Sequence, residues 1–240
     1  MPRPLARPVQ RTGHRPVDVP VAVAAWVVAF FVGQTMSMIV LIAAGDRDAD
    51  LAPIPTVFLA VAASWVAYLA GAWWASTQSG TGSMVRDYAI EARPADLVGV
   101  PIGVGTQLVL VPLLYDGLVR VFPGTFTEEQ VTENAERLVG RADGVGVFLL
   151  VVMVCVGAPL VEEIVYRGML QGALATRLDD RWSMVIVAVW FTLIHFRPVE
   201  YPGLVVFALV VGALRMWSGR LGPSIVTHIA FNAAGLVLAW

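Results

Sequence analysis

Three short polar patterns interrupt otherwise apolar stretches of the chain and together have the residue types needed for hydrolysis. They read Glu162-Glu163-x-x-x-Arg167, Phe191-x-x-x-His195 and His228-x-x-x-Asn232. Ionisable side chains are costly to place in an apolar environment, so those found there are usually paired and functional. Two of the three histidines of the sequence lie in these patterns. We therefore interpret the patterns as one candidate catalytic centre.

The Glu-Glu pair offers one carboxylate for structure and one for chemistry. Glu163 and Arg167 are four residues apart and share a helix face, with the acid first, which is the favourable order for an ion pair. Glu162 is turned about 100° away on the same helix and has no basic partner in its own segment. The spacing predicts a structural ion pair between Glu163 and Arg167 and a free carboxylate at Glu162.

Two routes to the hydrolysis of an amide are open to the remaining side chains. In the first, Glu162, His195 and His228 bind a metal ion such as Zn²⁺, in the His₂Glu pattern of catalytic zinc, with a position left for water. In the second, Glu162 and His195 activate a water without a metal. His228 and Asn232 then donate to the developing oxyanion. Neither route uses a covalent nucleophile, and Cys155 is interpreted as a small buried hydrophobe.

The three patterns resemble, in type and order, the motifs of the CPBP family of intramembrane proteases. This family is also called the CAAX protease, bacteriocin-processing or Abi family and includes the Rce1-type CAAX prenyl endopeptidases. The resemblance covers roughly residues 144–240. It implies that Glu162 and His195 hold the hydrolytic water and that His228 and Asn232 support the oxyanion. Members are described both as metalloproteases and as metal-independent glutamate proteases, and the resemblance leaves open whether the substrate is prenylated.

The rest of the chain must supply a bundle that holds these side chains in one layer of a membrane. Of its 240 residues, 58% are hydrophobic and 14% are charged, against about 25% charged in a soluble domain. No basic cluster suits nucleic acid, so the expected partners are the lipid bilayer and a membrane-associated peptide or protein substrate. A membrane helix needs about 20 apolar residues. The candidate spans are 19–44, 54–77, 95–122, 144–177, 182–200, 202–217 and 221–240.

These spans predict an all-α fold, a polytopic transmembrane helical bundle with seven to eight membrane helices. The eighth arises only if Pro159 divides the fourth span, because proline removes a helical hydrogen bond. We expect a disordered cytoplasmic tail at residues 1–18 and a single membrane-embedded domain at 19–240, with the catalytic core at 144–240. Residues 123–143 form either an amphipathic helix at the outer interface or a solvated loop.

Arginine placement predicts the orientation of the chain. Arginines cluster in the N-terminal tail and in alternate connections, whereas the other connections are acidic or mixed. Positively charged connections stay on the cytoplasmic side. The N-terminus is therefore expected in the cytoplasm, in a bacterial cell membrane, and seven crossings place every Arg-rich segment on one side.

The spacing of the motifs from their turns predicts a shared depth. The Glu pair and His195 both lie roughly 25 Å from the turn at Asp179–Asp180, at 1.5 Å of rise per residue. His228 and Asn232 overlap that layer if their helix begins deeper than the others. A shared depth is required if the side chains are to act on one water.

Two other functions fit the same sequence. A non-catalytic membrane immunity or binding protein of the same fold would keep the motifs without activating water at Glu162. A small transporter or proton-coupled channel would use the carboxylate and the histidines as a relay, although the sequence shows neither paired broken helices nor internal symmetry. The leading hypothesis is an intramembrane endopeptidase, CAAX prenyl protease-like, that uses a water activated by Glu162 and His195.

Overall fold

A computed structural model describes residues 17–46 and 48–240 of the chain. Within these ranges all regular elements are helical and there is no strand, which confirms the all-α fold class. Most of the predicted tail, residues 1–16, lies outside the described residues. The two tail residues that are described pack against the bundle: Val17 is 2% exposed, and Asp18 donates its backbone N–H to Oγ of Ser79.

The described residues form eight successive helical segments, with one extra helical turn at Met84–Asp87. The segments are α1 (Val19–Ala43), α2 (Ile54–Ser79), α3 (Pro94–Val121), α4 (Glu128–Gly140), α5 (Val145–Leu174), α6 (Asp180–Leu193), α7 (Tyr201–Ser218) and α8 (Gly222–Leu238). Proline occupies the first turn of α1, α2, α3, α7 and α8. At that position its missing N–H would have no helical partner in any case.

Five of these segments are long and apolar enough to cross a membrane, namely α1, α2, α3, α5 and α7. The apolar α8 has 17 residues and α6 has 14, fewer than the ~20 that a perpendicular crossing needs. The structure therefore supports an integral membrane protein, whereas the predicted count of seven to eight membrane helices is not confirmed.

The fourth predicted span remains one helix, α5. Two π-helical segments allow it to continue past Pro159 without a break. Val152–Gly157 and Glu163–Leu170 have π geometry, and the rest of α5 is α-helical. A wider turn accommodates Pro159, which can neither donate to a preceding carbonyl nor pack tightly against it. π-Helical turns are rare and occur frequently at functional sites. In α3, which begins with a 3₁₀ turn at Pro94–Val98, a π segment at Thr106–Leu110 interrupts the α-helix in a similar way.

At the end of the bundle where α1 begins, the connections are joined by buried polar contacts. Arg220 pairs with Asp96, and both side chains are almost fully buried. Leu221 donates its backbone N–H to the carbonyl oxygen of Ala89. The first residues of α8 are covered by these connections, and Leu221 and Ser224 are fully buried. The start of α8 thus lies inside the protein, which brings His228 toward the depth of the other motifs.

At the opposite end, polar contacts join the connection between α1 and α2 to α4 and to the connection after α6. The guanidinium of Arg141 donates to the carbonyl oxygens of Ala49 and Ala52. Arg197 lies 3.2 Å from Asp50. Residues 123–143 therefore contain a helix, α4, rather than a loop alone, and that helix is fastened to its neighbours.

The predicted span 182–200 is wrong at its C-terminal end, because α6 ends at Leu193. Phe196 takes a left-handed backbone conformation with φ 53°. Arg197 precedes Pro198, and a residue in that position avoids the helical conformation. His195 consequently lies in the turn that closes α6 rather than inside a long helix.

Single-cysteine labelling in a Cys155→Ala background tests which side of the membrane each connection between helices lies on. The exposed residues Ala92 and Thr176 lie at the end where α1 begins, and exposed Thr125 lies at the opposite end. With a cytoplasmic N-terminus, Thr125→Cys should react with an impermeant maleimide in intact cells. Ala92→Cys and Thr176→Cys should react only after permeabilisation. Labelling of Thr125→Cys and Thr176→Cys from the same side would contradict this arrangement.

Candidate active site

Arg167 and Glu163 form a buried ion pair within the second π segment of α5. Nη1 of Arg167 lies 3.2 Å from Oε1 of Glu163, and the two side chains are 1% and 0% exposed. The guanidinium also donates to the carbonyl oxygen of Ala208 on α7 and lies over the Phe191 ring, with Cζ 4.5 Å from its centroid. A charge buried this deeply needs such partners, because desolvation costs several kcal/mol per ion.

His228 reaches the same carboxylate from α8. Its Nδ1 lies 2.8 Å from Oε1 of Glu163, so this one oxygen faces both Arg167 and His228. The other ring nitrogen, Nε2, lies 3.7 Å from Oε2 of Glu162. The edge of the Phe207 ring packs against the imidazole, with 4.6 Å between ring centroids. His228 is therefore held in a fixed orientation between two adjacent carboxylates.

Glu162 is the carboxylate that opens to a cavity. Its side chain is 27% exposed, in contrast to the fully buried Glu163. The cavity has a volume of about 150 Å³ and is walled by α2, α5 and Ile194 just after α6. The lining residues with polar side-chain groups besides Glu162 are Ser64, Trp65, Tyr68 and Tyr166. We call this space the Glu162 chamber; it is large enough to admit water beside the carboxylate.

His195 has one ring nitrogen engaged, and among the described residues the other makes no hydrogen bond. Nδ1 lies 2.7 Å from the carbonyl oxygen of Phe191. A carbonyl can only accept, so Nδ1 carries the hydrogen, and Nε2 has a lone pair when the ring is neutral. The Phe191 ring packs against His195 at 4.7 Å and against His228 at 6.3 Å between centroids. His195 and Glu162 form no direct hydrogen bond or ion pair within the described part of the chain.

Asn232 lies one turn after His228 on α8, and its amide binds the backbone of α5. Nδ2 donates to the carbonyl oxygen of Val154 at 2.7 Å. One amide N–H and the amide oxygen remain for other partners. Asn232 lines a second cavity, of about 310 Å³, rather than the Glu162 chamber.

Glu200, directly before α7, is a second carboxylate near His195 that the sequence reasoning missed. It lines the larger cavity together with Asn232. Burial raises the pKa of Glu200 above its ordinary value, and the nearby charge of Arg197 opposes that rise, as do His195 and a hydrogen bond with Asn134. The sequence gives one indication of Glu200: it is a single acid at the edge of the apolar run of α7.

Two aromatic residues of the N-terminal helices also belong to the surroundings of the site. Trp26 donates its indole N–H to the hydroxyl oxygen of Tyr166 at 3.1 Å, and Tyr68 lines the Glu162 chamber. Buried Trp and Tyr usually find a hydrogen-bond partner. That tendency marks such residues as needing a contact, but the sequence does not indicate which one.

The described residues contain no group of three His, Cys, Asp or Glu side chains close enough to hold a metal ion. Of the three predicted ligands, Glu162 and His228 are neighbours, and His195 packs against the same Phe191 ring as His228. The spacing of these three side chains therefore does not fit a metal ion bound by all of them. The Zn²⁺ site predicted from the sequence stays a prediction.

Comparison with known protein families matches part of the chain. The family model described as Type II CAAX prenyl endopeptidase Rce1-like matches residues 144–234, which span α5 to α8 and all three motifs. The match confirms the resemblance seen in the motifs: this segment is similar to the Rce1-like family, a family of endopeptidases. No curated protein and no solved structure gives a significant match.

The buried ion pair predicts a large stability loss when only its cation is removed. Arg167→Ala removes the guanidinium from Glu163 and leaves the imidazole of His228 as its neighbour, and breaking a buried pair costs about 3–5 kcal/mol. We expect a lower thermal unfolding temperature in detergent and a smaller folded yield. The double variant Glu163→Gln, Arg167→Met removes both charges and should lose less. An unchanged unfolding temperature for Arg167→Ala would contradict the pairing.

Proposed function

We propose that this protein is an intramembrane endopeptidase that hydrolyses a peptide bond with a water activated at Glu162. One observation carries the proposal: His228 lies 2.8 Å from Glu163 and 3.7 Å from Glu162, beside the Glu162 chamber. Arg167 occupies one carboxylate of the Glu-Glu pair, and the other faces open space. The family match, to a group of proteases, supports the same conclusion.

Charge balance indicates where the proton of the resting site resides. Two carboxylates face a single arginine, so a neutral site needs one more positive group. An uncompensated charge at this depth would be strongly unfavourable. The proposed mechanism assigns this role to His228, with Nδ1–H donating to Glu163 and Nε2–H directed toward Glu162. Glu162 is then an ionised carboxylate able to accept a proton.

The reacting water belongs in the space between Glu162, His228 and His195. A separation of 3.7 Å between Nε2 of His228 and Oε2 of Glu162 exceeds hydrogen-bond length, and a water can bridge two polar groups at that distance. Glu162 accepts one hydrogen of this water. Nε2 of His195, left with its lone pair by the bond from Nδ1 to Phe191, accepts the other.

Hydrolysis follows from these positions. The water oxygen attacks the peptide carbonyl carbon, its proton passes to Glu162, and the carbonyl π electrons move onto oxygen. Nε2–H of His228 turns from the water to the oxyanion, and a substrate that extends from the Glu162 chamber to the neighbouring cavity takes its second hydrogen bond from the free N–H of Asn232. Glu162 then returns its proton to the amide nitrogen while the C–N bond breaks. The products are a carboxylic acid and an amine, and Glu162 is again a carboxylate.

The substrate class follows from the apolar surroundings and from the family. We assign to this chain a membrane-associated peptide or protein substrate that enters the Glu162 chamber from the bilayer. The family description names CAAX prenyl endopeptidases, so a prenylated C-terminal peptide is the first class to test and unprenylated membrane peptides are the second. The proposed setting is a bacterial cell membrane with the N-terminus in the cytoplasm.

Replacing the base should abolish cleavage without unfolding the protein. Glu162→Gln keeps the shape of the side chain but cannot take a proton, and loss of a general base costs about 10²–10⁴-fold in rate. His195→Ala should show a loss in the same direction. The readout is a comparison of membrane-peptide termini by mass spectrometry between strains with the wild-type protein, either variant, or neither.

Glu133→Gln, an exposed acid on α4, is the matched control and should cleave like the wild type. Unfolding temperatures of all variants should agree, so that lost activity is not lost fold. Full activity in both site variants would refute the assignment. Protection against a membrane peptide that survives Glu162→Gln would instead favour the non-catalytic binding protein.

Adding a chelator decides whether the cleavage that depends on Glu162 needs a metal ion. The water route above predicts that isolated membranes treated with EDTA or 1,10-phenanthroline keep their cleavage rate to within about twofold, since general-base catalysis needs no Lewis acid. Loss of activity that Zn²⁺ restores would establish the metal route. Apo and Zn²⁺-treated Glu162→Gln protein serve as the background.

A further inference from the structure

The amide of Asn232 donates to one backbone carbonyl of α5, and the sequence of α5 explains why that carbonyl needs a donor. Nδ2 donates to the carbonyl oxygen of Val154 at 2.7 Å, across 78 residues of chain and between α8 and α5. Val154 lies in the first π segment, Val152–Gly157, one turn before Pro159 and two turns before the Glu-Glu pair.

The register of the π segment predicts that the carbonyl of Val154 lacks a backbone donor. In a π segment the N–H of each residue bonds to the carbonyl five residues earlier, as Ala158 does to Met153. The next bond in that register would run from residue 159 to Val154, and residue 159 is a proline, which has no N–H. An unsatisfied carbonyl inside a membrane protein costs roughly 1–3 kcal/mol. Asn232 supplies the hydrogen that Pro159 lacks.

The register of this segment sets the direction of the carboxylates that follow it. Each residue advances a helix by about 100°, so a shift of one residue at Val152–Gly157 would turn Glu162 and Glu163 by about that angle. The contact of Glu163 with His228 would then be lost. His228 and Asn232 are both on α8, so one helix holds α5 at two points, the Val154 carbonyl and Glu163.

We propose that Asn232 is a positioning residue that replaces the backbone donor missing at Pro159 and thereby fixes the register of α5 at the Glu-Glu pair. Its effect on cleavage rests on the proposed function, whereas its effect on α5 does not. The role is compatible with oxyanion support, because an amide has two N–H groups and Val154 takes one.

A double-mutant cycle between positions 232 and 159 tests the proposal. Pro159→Ala returns a backbone N–H that can bond to Val154, so the amide of Asn232 becomes less necessary. Four proteins are compared in the same detergent: wild type, Asn232→Ala, Pro159→Ala and the double variant. Unfolding temperature is measured without any substrate. The initial rate of Glu162-dependent cleavage in membranes is measured separately and normalised to folded protein.

Asn232→Ala should lower the unfolding temperature by roughly 2–8 °C in the wild-type background and by less than half of that amount in the Pro159→Ala background. The double variant should also cleave about tenfold faster than Asn232→Ala, because correct placement of the base is restored. A backbone N–H at position 159 cannot touch the substrate, so recovery of the rate reports positioning rather than oxyanion contact.

Equal losses of unfolding temperature in both backgrounds would overturn the proposal. Recovery of unfolding temperature without any recovery of rate would overturn the positioning role. If Asn232→Ala is not obtained folded, the double variant should still be obtained, and its absence beside folded Pro159→Ala would also overturn the proposal. If the wild type cleaves nothing, the proposed function fails, and the unfolding temperatures still decide the role of Asn232.

Discussion

One carboxylate oxygen, Oε1 of Glu163, is the point on which the candidate site depends. It lies within 3.2 Å of Arg167 on its own helix and within 2.8 Å of His228 on another, with no exposure to solvent. The guanidinium of Arg167 and the imidazole of His228 both face this oxygen, and these two contacts hold α5 and α8 in a single relative orientation. The side chains that the mechanism uses, Glu162 and His228, take their positions from this contact rather than from contact with each other.

Aromatic packing extends the same arrangement to His195. Phe191 lies beneath the Arg167 guanidinium at 4.5 Å and also contacts both imidazoles. A cation over an aromatic ring is stabilised by about 1–2 kcal/mol when it is desolvated. The ring therefore joins the charged pair on α5 to the histidine at the end of α6, whose Nδ1 is already bound to the backbone of Phe191. The orientation of His195 is fixed by contacts that do not require a ligand.

The sequence predicted contacts within one helix, which follow from helix geometry. It could not predict contacts between two helices, which depend on how the helices are rotated against each other. Four-residue spacing predicted that Glu163 and Arg167 would be neighbours, and the 100° step predicted that Glu162 would face elsewhere. Depth arguments placed the three motifs in one layer, but depth does not say which faces of α5 and α8 meet. The bonds from His228 to Glu163 and from Asn232 to Val154 depend on that rotation. The sequence analysis placed the end of α6 too late. It followed the long apolar run and gave too little weight to Arg197-Pro198, which disfavours a continuing helix.

Glu162 and Glu163 have opposite environments, one beside the chamber and one buried, because they are consecutive residues on one helix. A step of about 100° sends Glu163 into the interior and Glu162 to the chamber, so the same backbone register sets both the stability of the ion pair and the direction of the base. A residue added or removed before position 162 would move the two side chains together. The chamber would then receive a different side chain, and Glu163 would lose His228. Stability and chemistry are therefore coupled at this site through the register of α5, and the bond from Asn232 to Val154 acts on that register in the irregular segment before Pro159.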